Sequence, residues 1–244
     1  MRPVLLGVLL LGCAPATAPA PEPAIAFVEA PGTVREWRFD VHGLPATDTQ
    51  TGEVVVADVA HGNIVASLSL SILSLRPNTV VRATAILEDA ESLGVLYEME
   101  DPAEEARATA DLAGRVRART RAASRALEAR DLRPLEPCRL AAGEALFCTH
   151  PQRVVCGKTE FELDGDVLRG PASAVHTGWQ LPSMEIGDGP PKTMLACIEE
   201  AHFDPVTRQL AVRLDHVCRG GGGDACILPD EWHVVATTHA RDRR

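Results

Sequence analysis

The sequence lacks the short patterns that usually announce chemistry. No Cys-x-x-Cys occurs, so neither a redox-active cysteine pair nor a zinc ribbon is indicated. His-Glu-x-x-His, Gly-x-Ser-x-Gly, Ser-x-x-Lys and a Gly-Lys-Ser/Thr phosphate loop are all missing. Gly220 to Gly223 is a glycine run, but cysteines flank it where a phosphate cradle would have a strand and a helix. Lysine is scarce, with two against 22 arginines, a bias expected of a GC-rich coding sequence. Basic residues are outnumbered, 24 to 34, for a formal net charge of −10. That balance argues against nucleic acid as a general partner, because binding its phosphates needs a basic surface. No cofactor or metal is indicated.

What is present begins at the amino end. Met1-Arg2 supplies a positive start, and Val4 to Leu11 is an apolar run with one glycine, followed by Gly12-Cys13. This is the layout of a secretory signal. Eight helical residues reach only about 12 Å, against about 30 Å of hydrocarbon, so the run is too short to span a bilayer. Leu10-Leu11-Gly12-Cys13 resembles the lipobox of bacterial lipoproteins, with Leu11 a less usual residue before the glycine. The resemblance covers residues 1–13 alone. It implies that residues 1–12 are a signal peptide removed before Cys13, and that Cys13 is diacylated and anchors the chain to a membrane. A second reading is an ordinary signal cut between Ala14 and Ala20, with Cys13 discarded. Ala14 after the cysteine, by analogy with enteric lipoproteins, points to the outer membrane or its periplasmic face.

Residues 13–24 form an Ala/Pro-rich tether, extended by alternate prolines and about 30 Å long. Residues 25–240 then read as a single globular domain, large enough to bury a sizeable core.

Cysteine usage agrees with export. Apart from Cys13 there are six: Cys138, Cys148, Cys156, Cys197, Cys218 and Cys226. An even number in an exported chain suits up to three disulfides. Fifteen pairings are open. Short loops favour Cys218 with Cys226 and Cys148 with Cys156, which leaves Cys138 with Cys197.

The expected fold class is α+β, mainly antiparallel sheet, with one long Ala/Arg-rich helix and a disulfide-stapled carboxy-terminal half. Residues 25–100 form a first β part, with strands at 34–41, 53–60, 65–75 and 79–87, the last two antiparallel. Asp101 as N-cap, Pro102 at the first position and Glu104 and Glu105 at the positive end of the dipole open a helix over about 102–131. It should lie across a sheet or break near Gly114. Residues 134–240 return to strands at 145–149, 153–163, 167–168, 194–203, 209–217 and 231–238. Turns are expected at Asp164 to Asp166 and Asp204 to Thr207, the second setting Phe203 opposite Arg208. Pro182 to Lys192 reads as a surface loop. Residues 49–56 and 204–212 each give a polar turn leading into an apolar strand, a rhythm that faintly resembles exported β-propeller blades.

Two constellations remain. Arg115, Arg117, Arg119, Arg121 and Arg125 put five positive charges in eleven residues, with no acid between Asp111 and Glu128. Odd positions advance about 200° each, which spreads the arginines around a helix. They offer contact to an envelope protein, an anionic polymer or a lipid headgroup, or they pair with the acidic remainder of the domain. His202, His216 and His233, with Asp215 or Glu200, would be catalytic candidates if neighbouring strands gathered them into a pocket. Otherwise they are isolated strand histidines. The functional expectation is a lipid-anchored envelope protein with a binding or structural role and no catalytic motif. The alternative is an exported enzyme, such as a hydrolase, with a site assembled from scattered residues.

Overall fold

The computed structural model describes residues 22–30, 33–61, 65–74, 79–99, 101–140, 151–165, 167–171, 174–176, 183–184, 192–218 and 231–237. Cys13, Cys148 and Cys226 lie outside them, as do residues 141–150 with the strand expected at 145–149.

Four layers stack on one another. The first holds a two-stranded ribbon, β1 (Ala24–Val28) and β2 (Arg38–His42), beside two helices, α1 (Asp89–Tyr97) and α2 (Pro102–Glu128). The second is a sheet of β3 (Ala46–Asp48), β4 (Val54–His61), β5 (Ala66–Ser74), β6 (Thr79–Leu87) and β7 (Leu132–Pro134), in the order β6-β5-β4-β3-β7. The third sheet contains β8 (Glu136–Pro137), β14 (Ser183–Met184), β15 (Lys192–Asp204), β16 (Gln209–Cys218) and β17 (Glu231–Ala236). The fourth is a meander of β9 (Arg139–Leu140), β10 (Gln152–Cys156), β11 (Thr159–Asp164), β12 (Val167–Arg169) and β13 (Ala174–His176). Every pairing is antiparallel.

Alternation along the strands explains the stacking. In β5, Ala66, Leu68, Leu70 and Ile72 face the helices, while Ser67, Ser69 and Ser71 take the other side. β4 opens with an unbroken apolar run, Val54 to Ala57, because both of its faces are covered there. Val55 joins the core beneath α2, whereas Val54 and Val56 meet Leu73, Leu135, Ala211 and Val234 between the second and third sheets. A third core, around Phe161, Leu163, Phe203, Leu210 and Leu214, fills the space between the third and fourth sheets.

α2 runs unbroken through Gly114 and ends at Glu128, three residues short of the expected boundary. Its buried stripe is Leu112, Ala113, Val116, Thr120, Ala123 and Leu127. A second helix, α1, was not expected. It is opened by a capping box in which Glu88 and Glu91 exchange side chain-to-backbone bonds. The segment at Val34–Glu36 is a 3-10 turn rather than the start of a strand. The single strand expected over 153–163 is two, β10 and β11, joined by a two-residue loop with Gly157 at φ 60°. β14 interrupts the expected surface loop by pairing with the start of β15. At the β15–β16 turn Phe203 sits opposite Leu210 and not Arg208, because Asp204 still pairs, with Gln209, and the four-residue turn is shifted by one to 205–208.

The similarity between 49–56 and 204–212 has a structural basis in two matching turns. Asp48 Oδ1 accepts from the N–H groups of Gln50 (3.0 Å) and Thr51 (3.3 Å), and Asp204 Oδ1 from those of Val206 (2.9 Å) and Thr207 (3.3 Å). Four residues after each aspartate the backbone turns left-handed, at Gly52 (φ 75°) and Arg208 (φ 56°). An arginine holds each carboxylate: Arg130 on Asp48 at 2.9 Å and Arg133 on Asp204 at 2.6 Å. Burial pushes the Asp204 carboxyl up, but Arg133, the Thr207 hydroxyl and the two N–H groups outweigh it and hold the group below its ordinary range. The turns also touch, through Gln209 Nε2 donating to Gly52 O (2.9 Å) and Thr47 Oγ1 donating to Gln209 Oε1 (3.2 Å).

Candidate functional site

Five of the six arginines of α2, Arg115 to Arg125, fall into two groups, on opposite flanks of its buried stripe. Residues four apart on a helix return to nearly the same side, about 6 Å further along. Arg115 and Arg119 share the flank that meets α1. There Glu91 takes both, at 3.9 Å from Arg115 and 2.6 Å from Arg119, and Arg119 also donates to Ile86 O. Burial pushes the Glu91 carboxyl up, but the two arginines and the Glu88 backbone bond prevail and lower it; Glu91 in turn raises Arg119.

Arg117, Arg121 and Arg125 occupy the other flank, beside β1. The two elements run antiparallel and are pinned at both ends. Ser124 Oγ donates to Ile25 O (3.4 Å), and Arg117 pairs with Glu29. Between them lies an open groove of about 700 Å³. Ile25, Phe27, Thr120 and Ser124 line it, with Arg121 and Arg125 along the helix side and Glu128 at one end. The ribbon wall is firm, because Phe27 packs edge-on to Trp37 (5.1 Å between centroids) and against Phe39 (5.4 Å). The Ile25 carbonyl aimed at Ser124 makes Ile25–Val41 a non-hydrogen-bonded pair of the ribbon. By the period of two, Phe27 turns its own N–H and C=O toward the groove as well.

Arg121 and Arg125 are exposed, and among the described residues neither has a carboxylate partner. Arg125 Nε donates to the Arg121 carbonyl (3.3 Å), which folds its stem along the helix. Both guanidinium groups remain available to an external anion, and the apolar floor beside them offers burial to whatever carries it.

Among the described side chains, His202 and His233 do not converge. Glu200, His202, Arg213 and Trp232 form a row on the face of the third sheet that turns toward the second. His202 Nε2 meets Glu200 Oε1 at 2.7 Å, and this bond with Arg213 nearby lowers the Glu200 carboxyl. His233 pairs with Val212 in register and lies on the opposite face, beside Glu231 at 3.5 Å. The side chains of His216 and Asp215 are outside the described residues. No cluster suited to a metal ion occurs among the described residues.

The cysteines need correction. Cys138 bonds to Cys156, so the expected Cys148–Cys156 and Cys138–Cys197 pairs do not form. Register gives the reason. β9 lies against β10 with Arg139 opposite Val155, which sets Cys138 beside Cys156. Cys197 is also disulfide-bonded, to a cysteine outside the described side chains. Its register neighbour is Asp215, and Cys218 stands three residues further along β16, opposite Met194. The expected Cys218–Cys226 pair and the Cys13 anchor lie outside the described side chains.

The groove residues Ile25, Phe27 and Ser124 were not singled out from sequence. The signal for Ile25 and Phe27 was the alternation in Ala24 to Val28, which merges at its start with the Ala/Pro tether; Ala24 is the first residue of β1. No helix among the described residues is long and apolar enough to cross a membrane. The chain matches no known protein family, no characterised protein and no solved structure.

Proposed function

We propose that this chain is a lipid-anchored envelope protein with a binding role, and that the groove between β1 and α2 is the surface that takes an anionic partner. The observation that carries the reading is the pair Arg121 and Arg125, one helical turn apart beside an apolar-floored groove and without carboxylate partners among the described residues. In a chain of net charge −10, a concave surface that carries two such cations is suited to an external anion. The anchor is supported by Leu10-Leu11-Gly12-Cys13 and by the tether that follows it.

Each half of the reading has its own test. Cys13→Ser should abolish lipid labelling and release the protein from the membrane fraction of cells; unchanged fractionation would defeat the anchor. A panel of dextran sulfate, poly-glutamate and inorganic phosphate should contain at least one compound that raises Tm. The double variant Arg121→Glu/Arg125→Glu should lose that shift. A panel inert toward the wild-type chain would remove the groove from the proposal.

A further inference from the structure

We infer that the β1–α2 groove docks the folded body onto an anionic phospholipid surface, the same membrane that carries the anchor. The inference rests on the reading of the groove as an anion-binding surface and names the source of the anion.

Continuity of the chain is the first argument. The described residues begin at Glu22, and Ala24 already opens β1, one wall of the groove. Cys13 is eleven residues before Ala24, a reach of at most about 40 Å fully extended. The groove is therefore where an anchored body is attached. Short attachment raises the effective concentration of headgroups at that surface above any elsewhere on the molecule.

Charge is the second argument. The chain as a whole is repelled by an anionic surface, so a face that docks on one has to present cations that no carboxylate neutralises. The groove flank is one. Glu29 satisfies Arg117, while Arg121 and Arg125 stand about 6 Å apart along the helix with no carboxylate of their own. Glu128 bounds the stretch at its carboxy end, so an anion is received beside Arg121 and Arg125 and not beyond them.

Shape is the third. Guanidinium groups bind phosphate diesters bidentately, and long arginine stems lie along apolar surface while the heads stay wet. Ile25 and Phe27 supply an apolar floor under the same spot, suited to the glycerol and first methylenes below a headgroup. An acidic extended peptide is the competing occupant, adding itself to the edge of β1. Ser124 already bonds the Ile25 carbonyl on that edge and would have to be displaced. The lipid surface needs no such rearrangement.

The test is flotation of the full chain carrying Cys13→Ser, so that no acyl chain contributes, with vesicles of phosphatidylcholine alone or mixed with phosphatidylglycerol. The protein should float with the mixed vesicles only, and high salt should release it. Arg121→Glu/Arg125→Glu should weaken binding about tenfold or more, and Arg121→Gln/Arg125→Gln by less, with Tm unchanged in both. Absence of binding, equal binding to both vesicles, or binding indifferent to Arg121 and Arg125 overturns the inference. So does binding of poly-glutamate without any binding of vesicles, which would leave the groove an anion site and give it to a protein partner. None of these results depends on Cys13, so failure of the anchor is read separately from fractionation of cells.

Discussion

Asp48 and Asp204 hold two turns of one design, and the difference between the turns lies four residues further on. Both chains turn left-handed there, but one uses Gly52 and the other Arg208. Glycine adopts that conformation without strain, whereas a residue with a Cβ is disfavoured in it by about 1 kcal/mol or more. A methyl group at Gly52 would meet nothing closer than Gln209 Nε2 at 3.9 Å, so backbone strain is the only cost. Gly52→Ala should therefore destabilise the protein by about 1 kcal/mol in urea unfolding. Arg208→Gly should cost less than an arginine-to-glycine change ordinarily would. The polar turn leading into an apolar strand could be seen in the sequence, as the recurrence of 49–56 in 204–212, but Asp48, which holds the first turn, stands one residue before that segment. The two arginines could not, because Arg130 and Arg133 reach their carboxylates only after β7 closes beside β3.

At the scale of elements, α2 shows what a linear reading loses. Its cap, its composition and its extent were legible from Asp101-Pro102 and the absence of later proline. The arginines looked scattered because successive odd positions advance about 200°. Every second step, however, returns to one side, and which side matters is decided by neighbours. Glu91 supplies one neighbour, on a helix whose capping box stood in the sequence but was short and contained Gly94. Glu91 links α1 to Arg115 and Arg119. Its carboxyl titrates below the ordinary 4.5, so it contributes stability above that value, and this is lost as pH falls through the lowered one. Glu91→Gln should cost about 1 kcal/mol at neutral pH and flatten the pH dependence of stability in that acidic window. A variant with the wild-type acid profile would show that the link is not formed in solution. The disulfides were illegible for the same reason as the flanks. Nearest spacing favoured Cys148 with Cys156, whereas pairing of β9 with β10 brings Cys138 there instead.

For the whole molecule, the mixed and mainly antiparallel class followed from alternation and turn chemistry, but the stacking of sheets did not. The broken rule was in plain view at Val54-Val55-Val56, where a strand without polar alternation signals cover on both faces. What covers it, Ala211 and Val234 of the third sheet, lies far along the chain. That small core ties the two ends of the sequence together. Val54→Ala should cost about 2 kcal/mol. It should lower one common unfolding transition, followed by far-UV circular dichroism and by tryptophan fluorescence together; two separated transitions would show that the sheets unfold independently.

The position of β3 also dictates an order of assembly. This three-residue strand pairs on one side with β4, which follows it directly, and on the other with β7, which arrives only after both helices. A chain emerging from its amino end can close the β4–β5–β6 meander early, but it must hold β3 half-paired until Leu132–Pro134 appears. Leu135 N then bonds Pro45 O and carries the chain onward into the third sheet. The interval between those events is when this protein is most open to mispairing, and so the stage at which a chaperone would have most to protect.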